Sequence, residues 1–393
     1  MEENRKYKYS SKEEYSSIKK QEVTKRQQEH ESKQNYIYFT VNVDYYEDYE
    51  MYYLTIPNEY LNQIEELRKK KEDIFTKGKI LTFSTKNNDF SFDAIIDSTE
   101  EIYAYLVPIK KKYRYNYDLT GEYVSNERLG DLTYIRMKDA INEFNEGNSC
   151  SKHLENYILG EDMSKYTNKE LKKIFNYKKY YNTYIPKFSK INESKIENIF
   201  YNEMNIIDLK SNIKNNRKLI CLIIYAIYQV RKNIRDKILI CSSSNSVVDL
   251  ISLDLLKMKD YINEPLNILR IYAKNQEIIK RKKKLNEISF HKIMTKKLKK
   301  KFNDRKKKKN WIIKNSDIII STCVNSYNDD IINYKFPFII IIDANNSNEN
   351  ENLIPITLKA KHVVLISYEE KVSEETNLYE RMKNLYPENH INI

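Results

Sequence analysis

The sequence predicts an α/β chain in which a helix-covered parallel sheet follows a small antiparallel β unit. Three observations carry that prediction. From Pro186 onward, short apolar strands alternate with helical stretches, at spacings long enough for the crossovers that parallel pairing requires. Phe338 to Ile342 is apolar at every position, as a strand buried on both faces should be. Between residues 36 and 107, strand-like runs rich in Tyr, Ile and Val recur between Asn, Asp and Ser turns, the spacing of a small barrel or sandwich.

Taken in order, residues 1–35 are polar and charged, with Tyr15, Ile18 and Val23 as the apolar anchors, and read either as a frayed tail or as a stalk-like helix packed on something else. Residues 36–130 hold the β unit, with strands expected at 36–43, 52–56, 80–84, 90–96 and 102–107. Helices at Tyr134 to Phe144 and His153 to Leu159 open a connecting region, 131–186, that becomes rich in Lys and Tyr. The α/β unit, 187–393, begins with a helix at Asn192 to Tyr201. Its strands are Lys237 to Cys241, Leu266 to Tyr272, Asp317 to Thr322, Phe338 to Asp343 and His362 to Ile366, with a helix at Ser246 to Met258 and a basic helical insert at 275–312.

The 393 residues and 40% hydrophobic content suffice for a sizeable core and exclude a wholly disordered chain. Lys and Arg number 68 against 56 Asp and Glu, a net charge of +12 that draws nucleic acid or anionic surfaces. With 34 Tyr beside only 5 Gly and 7 Pro, part of that balance reflects codon bias, so the location of the charge matters more than its total. Cys150, Cys221, Cys241 and Cys323 are too scattered for a disulfide framework or a Cys-x-x-Cys zinc site, which points to a reducing compartment and no metal. The N-terminus lacks the apolar core of a signal peptide, and the longest apolar run, Leu219 to Tyr228, is too short for a bilayer, so a soluble intracellular protein is expected.

Several segments, in one order along the chain, resemble the superfamily 1 RNA helicases of the up-frameshift, or regulator of nonsense transcripts, type. Residues Ile238 to Leu250 are similar to that family's VLVCAPSNIAVDQL motif, Ile268 to Lys274 to VVRLCAK, and Asn315 to Val324 to NADVICCTCV. Asn352 to Ile356 and Lys359 to Lys361 resemble its MVPV and GAK segments, and Asn377 to Met382 its SLFERL helix. Tyr134 to Ala140 resembles the RMQSAL helix that follows the family's β-barrel insert, and Ile191 to Ser194 its LNHS segment. The resemblance implies a RecA-like domain, the P-loop NTPase fold, with an inserted antiparallel barrel and a basic helical insert.

The departures fall on the chemistry. The family's GPPGTGKT loop cradles ATP phosphates because its glycines let successive N–H groups converge on the anion. The aligned residues 211–218 contain no glycine, with Arg217 at the Lys position and Lys218 at the magnesium-binding Thr. The Asp-Glu pair that holds magnesium and activates water is matched by Asp343 followed by Ala344. Lys195 replaces the adenine-reading Gln, Tyr368 and Lys371 replace the Asp and Gln that sense the γ-phosphate, and the chain stops at Ile393, where the family continues into a second RecA-like domain. The expectation is a degenerate nucleotide site at Lys195, Arg217, Lys218, Asp343 and Lys371, no catalytic residue, no hydrolysis and no cofactor.

What survives points to RNA. Ser244 and Asn245 occupy a strand-to-helix turn whose family role is to touch the RNA backbone, although Ser and Asn are favoured there simply as caps. Thr322 ends the next matching strand; Arg270 and Lys274 bracket another strand end and are read as phosphate contacts or a solvated surface pair. Asp249 is read as a cap or a pair within its helix. Between Lys280 and Lys309 stand 16 Lys and Arg against Glu287 and Asp304, a net +14 that leaves the other 363 residues at −2. Phe290, Met294, Leu298 and Phe302 recur every four residues, one narrow apolar stripe on a helix whose other faces carry Lys296, Lys297, Lys299, Lys300 and Lys301. Nuclear import and drift in a tolerant surface are the competing readings of this run. Arg114 and Tyr115, in a stretch that interleaves cations with Tyr, are further candidates.

The sequence therefore predicts a helicase-like protein that binds RNA or ribonucleoprotein without hydrolysing ATP, as an adaptor or regulator in RNA surveillance. Its expected partners are RNA, surveillance proteins or a separate helicase half, with no membrane, and its expected location is the cytoplasm, or the nucleus through the lysine-rich insert. Two other classes stay open: half of a divergent ATP-dependent helicase, which would use ATP and magnesium, and an interaction scaffold with no RNA role.

Overall fold

The computed structural model describes residues 8–31, 38–46, 51–62, 75, 79–87, 89–100, 102–108, 118–127, 131–163, 199, 202–209, 213–231, 236–262, 265–273, 276–277, 281–295, 305–367 and 377–392. The chain divides into two compact units, one of 1–23, 136–272 and 281–393, the other of 24–135 and 273–280.

The first helix, α1, spans Lys12–Glu31. Residues 1–35 contain this helix, and Tyr15 and Val23 are buried as expected. Ile18 is not: it stands 37% exposed, and Lys19 beside it is buried at 4%. The helical period turns one position away from the apolar choice because Lys19 has a buried carboxylate to meet: its Nζ lies 3.0 Å from Glu349 Oε2.

The smaller unit is a closed antiparallel barrel of six strands, β1 Tyr38–Tyr46, β2 Met51–Thr55, β3 Ile80–Ser84, β4 Ser91–Glu100, β5 Tyr103–Pro108 and β6 Gly121–Glu127, paired in the order β1-β2-β5-β4-β3-β6. Closure removes every edge, and alternate residues fill the interior. Phe83 and Phe92 are register partners whose rings stack at 4.8 Å, and Tyr123 meets Phe92 edge-on at 5.3 Å. β6 escaped the sequence reading because Gly121-Glu-Tyr-Val-Ser-Asn-Glu127 is mostly polar; it presents Tyr123 and Ser125 inward and pairs with both β1 and β3. A short helix, α2 Asn58–Leu61, places Tyr60 over Phe75 within the same core.

Helices α3 Asp131–Glu146 and α4 Lys152–Leu159 follow. The Ser151 side chain accepts from Leu154 N–H at 3.2 Å to start α4, and Gly160, at φ 82°, ends it in a left-handed turn that only glycine enters without strain. The expected helix 192–201 lies, apart from residue 199, outside the described residues, as does most of the connection before it.

The larger unit is a seven-stranded parallel sheet in the order β13-β7-β12-β11-β8-β10-β9, built from β7 Met204–Asp208, β8 Ile238–Ser242, β9 Ile268–Arg270, β10 Ile318–Thr322, β11 Phe338–Ile342, β12 His362–Ser367 and β13 His390–Asn392. β11, read from sequence as buried on both faces, lies mid-sheet between β12 and β8 with all five residues buried. Helices α5 Ile213–Arg231 and α6 Asn245–Ile262 supply apolar faces to the core, Ile220, Ile224 and Ile227 from one, Val248, Ile251 and Leu255 from the other. Of the basic insert, the described residues hold α7 Lys283–Ile288, α8 Phe290–Thr295 and α9 Arg305–Lys314; Ser289, which bridges Arg270, separates α7 from α8, and α8 carries Phe290 and Met294 of the expected stripe. Phe290 is buried, while Leu298 and Phe302 lie outside the described residues. Helices α10 Glu349–Ile356 and α11 Leu378–Leu385 precede β12 and β13.

Candidate functional site

In parallel α/β sheets, ligands bind beyond the carboxyl ends of the strands, where helix N-termini gather. Register places the surviving candidates there. Thr322 pairs with Ser242, and Ile341 and Ser321 both pair with Cys241, so the ends of β11, β8 and β10 are level and release Asp343, Ser244 and Thr322 along one ledge.

Each of these is held by its own turn. The Ser244 carbonyl accepts from Val248 N–H at 3.3 Å as α6 begins, and its hydroxyl lies 2.7 Å from the Ser246 hydroxyl. Thr322 is half-buried, its Oγ1 accepting from Asn325 N–H at 3.4 Å. Asp343 adopts φ 61°, ψ 40°, the left-handed region that carboxylate and amide side chains tolerate best among non-glycine residues, and its Oδ1 accepts from Asn346 Nδ2 at 2.5 Å. The next residue, Ala344, is completely buried.

Arg270 corrects an expectation. It is neither a phosphate contact nor a solvated pair: the side chain has no exposure. Its Nε donates to Asp249 Oδ1 at 2.8 Å, its Nη2 to Asn245 Oδ1 at 2.7 Å and its Nη1 to the Ile271 carbonyl at 2.8 Å. Asp249 also accepts from the Tyr272 hydroxyl at 2.9 Å, and Arg281 closes the far side, its Nε 3.7 Å from Asp249 Oδ2 and its guanidinium 3.7 Å from the Tyr272 ring centre. Burial pushes the Tyr272 phenol up to about 12; Asp249 adds to the rise and the two arginines oppose it. Asn245 is thereby fixed from behind, its carbonyl oxygen spent on Arg270. Asp249 reaches across to β9 instead of pairing within its own helix.

The segment aligned with a phosphate loop is regular helix from Ile213 onward. Arg217 lies in its second turn, its Nε 3.1 Å from Asp254 Oδ2 of α6, an ion pair without hydrogen-bond alignment. Lys218 is exposed on the same helix. At the neighbouring edge, Asp208 ends β7 and collects the Tyr379 hydroxyl, Lys383 Nζ at 2.7 Å and His390 Nε2 at 2.7 Å. Burial would raise the Asp208 carboxyl, but those three hydrogen bonds together hold it below its ordinary value.

Lys195, Lys371, Tyr368, Lys274, Arg114, Tyr115, Lys296, Lys297, Lys299, Lys300 and Lys301 lie outside the described residues. Among the described residues no three His, Cys, Asp or Glu gather as a metal set, and no helix is long and apolar enough to cross a membrane. The sequence reading passed over two features: the cluster around Arg270, whose members come from three elements, and an exposed Trp311 on α9.

A family model described as an AAA domain matches residues 274–366, which run from the basic insert through β12. Over 260 residues, 60% of this chain, the sequence is 24% identical to the ATP-dependent helicase NAM7 of Saccharomyces cerevisiae, covering 25% of that protein. It is also 24% identical over 155 residues, 36% of the chain, to the regulator of nonsense transcripts 1 homolog of Drosophila melanogaster, covering 13% of that protein. A third match, to regulator of nonsense transcripts 1 of Dictyostelium discoideum, is 24% identical over 149 residues, 33% of the chain and 11% of that protein. The matches thus span a quarter or less of the length of these relatives. With the motif order, the parallel sheet and the six-stranded barrel, these matches show a chain similar to the superfamily 1 helicases of the up-frameshift, or regulator of nonsense transcripts, type.

Proposed function

We propose that this chain is a helicase-like RNA-binding protein that does not hydrolyse ATP and acts as an adaptor or regulator in RNA surveillance. The observation that carries the reading is the Arg217–Asp254 ion pair on a helix already formed at Ile213. A phosphate loop works by leaving a ring of backbone N–H groups and a cation unspent for the anion. Here the backbone from residue 213 onward is helical, and the cation at the Lys position faces a carboxylate. Ala344 offers no base, and Asp343 alone does not make the paired carboxylate that in-line attack by water requires. The described residues therefore do not fit a magnesium nucleotide.

The RNA side rests on charge: the +14 of Lys280 to Lys309 sits in one insert of an otherwise near-neutral chain, and a single strand tracks such a cluster through its phosphates. The strand-end ledge of Ser244, Asn245 and Thr322 adds hydroxyl and amide groups where backbone contacts form, and Arg114 and Tyr115 extend the candidates to the barrel. The names of the relatives, a helicase and two regulators of nonsense transcripts, support RNA surveillance as the setting; the cytoplasm as its place and surveillance proteins as its partners are parts of the proposal.

The test is phosphate release with and without a uridine oligonucleotide, alongside anisotropy of the labelled oligonucleotide across a salt series. No turnover is expected, with binding whose log affinity falls by about 0.7 per phosphate contact for each tenfold rise in salt. Turnover abolished by Arg217→Ala or Asp343→Asn would overturn the non-hydrolytic reading. Binding no steeper in salt than that of an unrelated basic protein would leave only the scaffold.

A further inference from the structure

The chain contains a single tryptophan, Trp311, and it is 40% exposed on α9, the basic helix Arg305–Lys314. Its exposure follows from the helical period. Ile312 and Ile313, at 5% and 0% exposure, face the core, which leaves the preceding residue on the outer side. One exposed apolar residue is ordinary on a protein surface. What sets Trp311 apart is its company. The helix carries Arg305, Lys306, Lys307, Lys308, Lys309 and Lys314 and no carboxylate. Lys307, Lys308 and Lys314 stand four before, three before and three after Trp311, the spacings that share a helix face. Lys307 and Lys314 are exposed, and Lys308 donates to the Met294 carbonyl, tying α9 to α8.

On its other side the helix meets the turn at Asp329 and Asp330. Lys309 Nζ lies 2.6 Å from Asp330 Oδ1 and donates to the Asp329 carbonyl at 3.2 Å, and the Tyr334 hydroxyl donates to Asn310 Oδ1 at 3.1 Å. The rear of the helix is thus pinned to the segment that follows Thr322. Behind the last turn, Lys237 Nζ donates to the carbonyls of Lys314 at 2.9 Å and Ser316 at 2.6 Å, a cation on the negative end of the helix dipole. The result is a helix tied at its rear and its last turn, with an indole on the outer face and exposed lysines four residues before and three after it. Lysines alone would serve any polyanion; a flat indole between them fits a ligand that carries charge and an unstacked aromatic face at alternate positions, which is a single-stranded nucleic acid.

We infer that Trp311 is a base-stacking platform for single-stranded RNA, with Lys307 and Lys314 holding the phosphates on either side of the stacked nucleotide. This rests on the RNA-binding reading above and assigns it a residue.

Because Trp311 is the only tryptophan, its emission reports the site directly. The full chain is titrated with a labelled uridine 12-mer, with anisotropy and tryptophan emission read together. Binding is expected to quench Trp311. Trp311→Ala should weaken affinity about tenfold at every salt concentration, since stacking adds affinity without a counterion term, and Trp311→Phe should recover part of the loss. Lys307→Gln and Lys314→Gln should each flatten the salt slope by about 0.7. Heparin, which has charge and no bases, should bind without matching the quenching. RNA bound with no quenching, or with Trp311→Ala at full affinity, overturns the stacking role and leaves the proposed function standing; no RNA binding overturns both. Equal quenching by heparin, or a blue shift that grows with protein concentration in the absence of RNA, also overturns it, the last assigning Trp311 to contact with a second copy. Matching circular dichroism melts of the variants establish that each is folded.

Discussion

The Arg270 guanidinium meets the Asp249 carboxylate at 2.8 Å with no solvent reaching the arginine, across 21 residues of sequence and between a strand end and a helix. Removing the guanidinium empties a fully buried site and takes three hydrogen bonds from it, leaving Asp249, one-fifth exposed, with Tyr272 and Arg281. Arg270→Ala is expected to cost about 3–5 kcal/mol in urea denaturation. Asp249→Asn keeps an acceptor for Nε but leaves the fully buried guanidinium facing a neutral amide, and should cost about as much. If Arg270→Ala instead melted like the parent and lost only RNA affinity, the side chain would be a ligand contact after all.

His362, the first residue of β12, is buried, and its Nε2 lies 2.6 Å from the Ile199 carbonyl. Burial pushes the imidazole down to about 4, against a smaller upward pull from that carbonyl. The folded state therefore holds the ring neutral while the unfolded chain protonates it near 6.5. Stability is complete above about pH 6.5, falls as pH drops toward about 4 and levels below that, a loss of about 3 kcal/mol from this group. Denaturation midpoints between pH 7.5 and 4.5 should show the decline, and His362→Gln should remove this component of it.

Glu349 in α10 accepts from Arg381 of α11 at 2.6 Å, from Lys19 of α1 at 3.0 Å and from the Tyr15 hydroxyl at 3.1 Å, all of them buried. Burial alone would raise its carboxyl, but Arg381 and Lys19 hold it below the ordinary carboxylate value. Glu349→Gln leaves two buried cations facing a neutral amide and should cost about 3–5 kcal/mol. Tyr15→Phe removes one hydrogen bond and should cost about 1 kcal/mol. Thermal melts that reverse this order would refute the network as described.

Restoring the family's acidic pair by Ala344→Glu should not create an ATPase. Ala344 has no exposure, so the new carboxylate enters a buried site, at a cost of several kcal/mol without a partner. A lower melting temperature and unchanged phosphate release are expected; turnover would show that the helix at Ile213 gives way to a nucleotide.

Legibility in the sequence followed the range of the interaction that decides each element. The β11 run and the helix starting at Asn245 were plain, because burial on two faces and strand-to-helix punctuation are written locally. β6 was not, since a polar strand earns its place only by closing the barrel between β1 and β3. Arg270 looked like surface because charge usually is surface; its partners come from residues 245 and 249, and no local pattern announces a pairing across a crossover. The same holds for Lys19, buried in place of Ile18 by a carboxylate more than 300 positions away. Trp311 was missed because the lysine count around it drew attention to charge and away from the one ring among them.

The attachment of α1 has a consequence for how the chain is made. Tyr15 and Glu349 are 334 residues apart, and Arg381 lies further on still. The N-terminal helix leaves the ribosome with Tyr15 and Lys19 unburied and waits through synthesis of the barrel and nearly the whole parallel sheet before their partners exist. Barrel strands, all of whose partners lie within residues 38–127, can close early; the docking of α1 is a late, high-contact-order event. Until it happens, the nascent chain carries a largely polar arm whose Tyr15 and Val23 have nothing to hold, the stage at which a chaperone has most to offer.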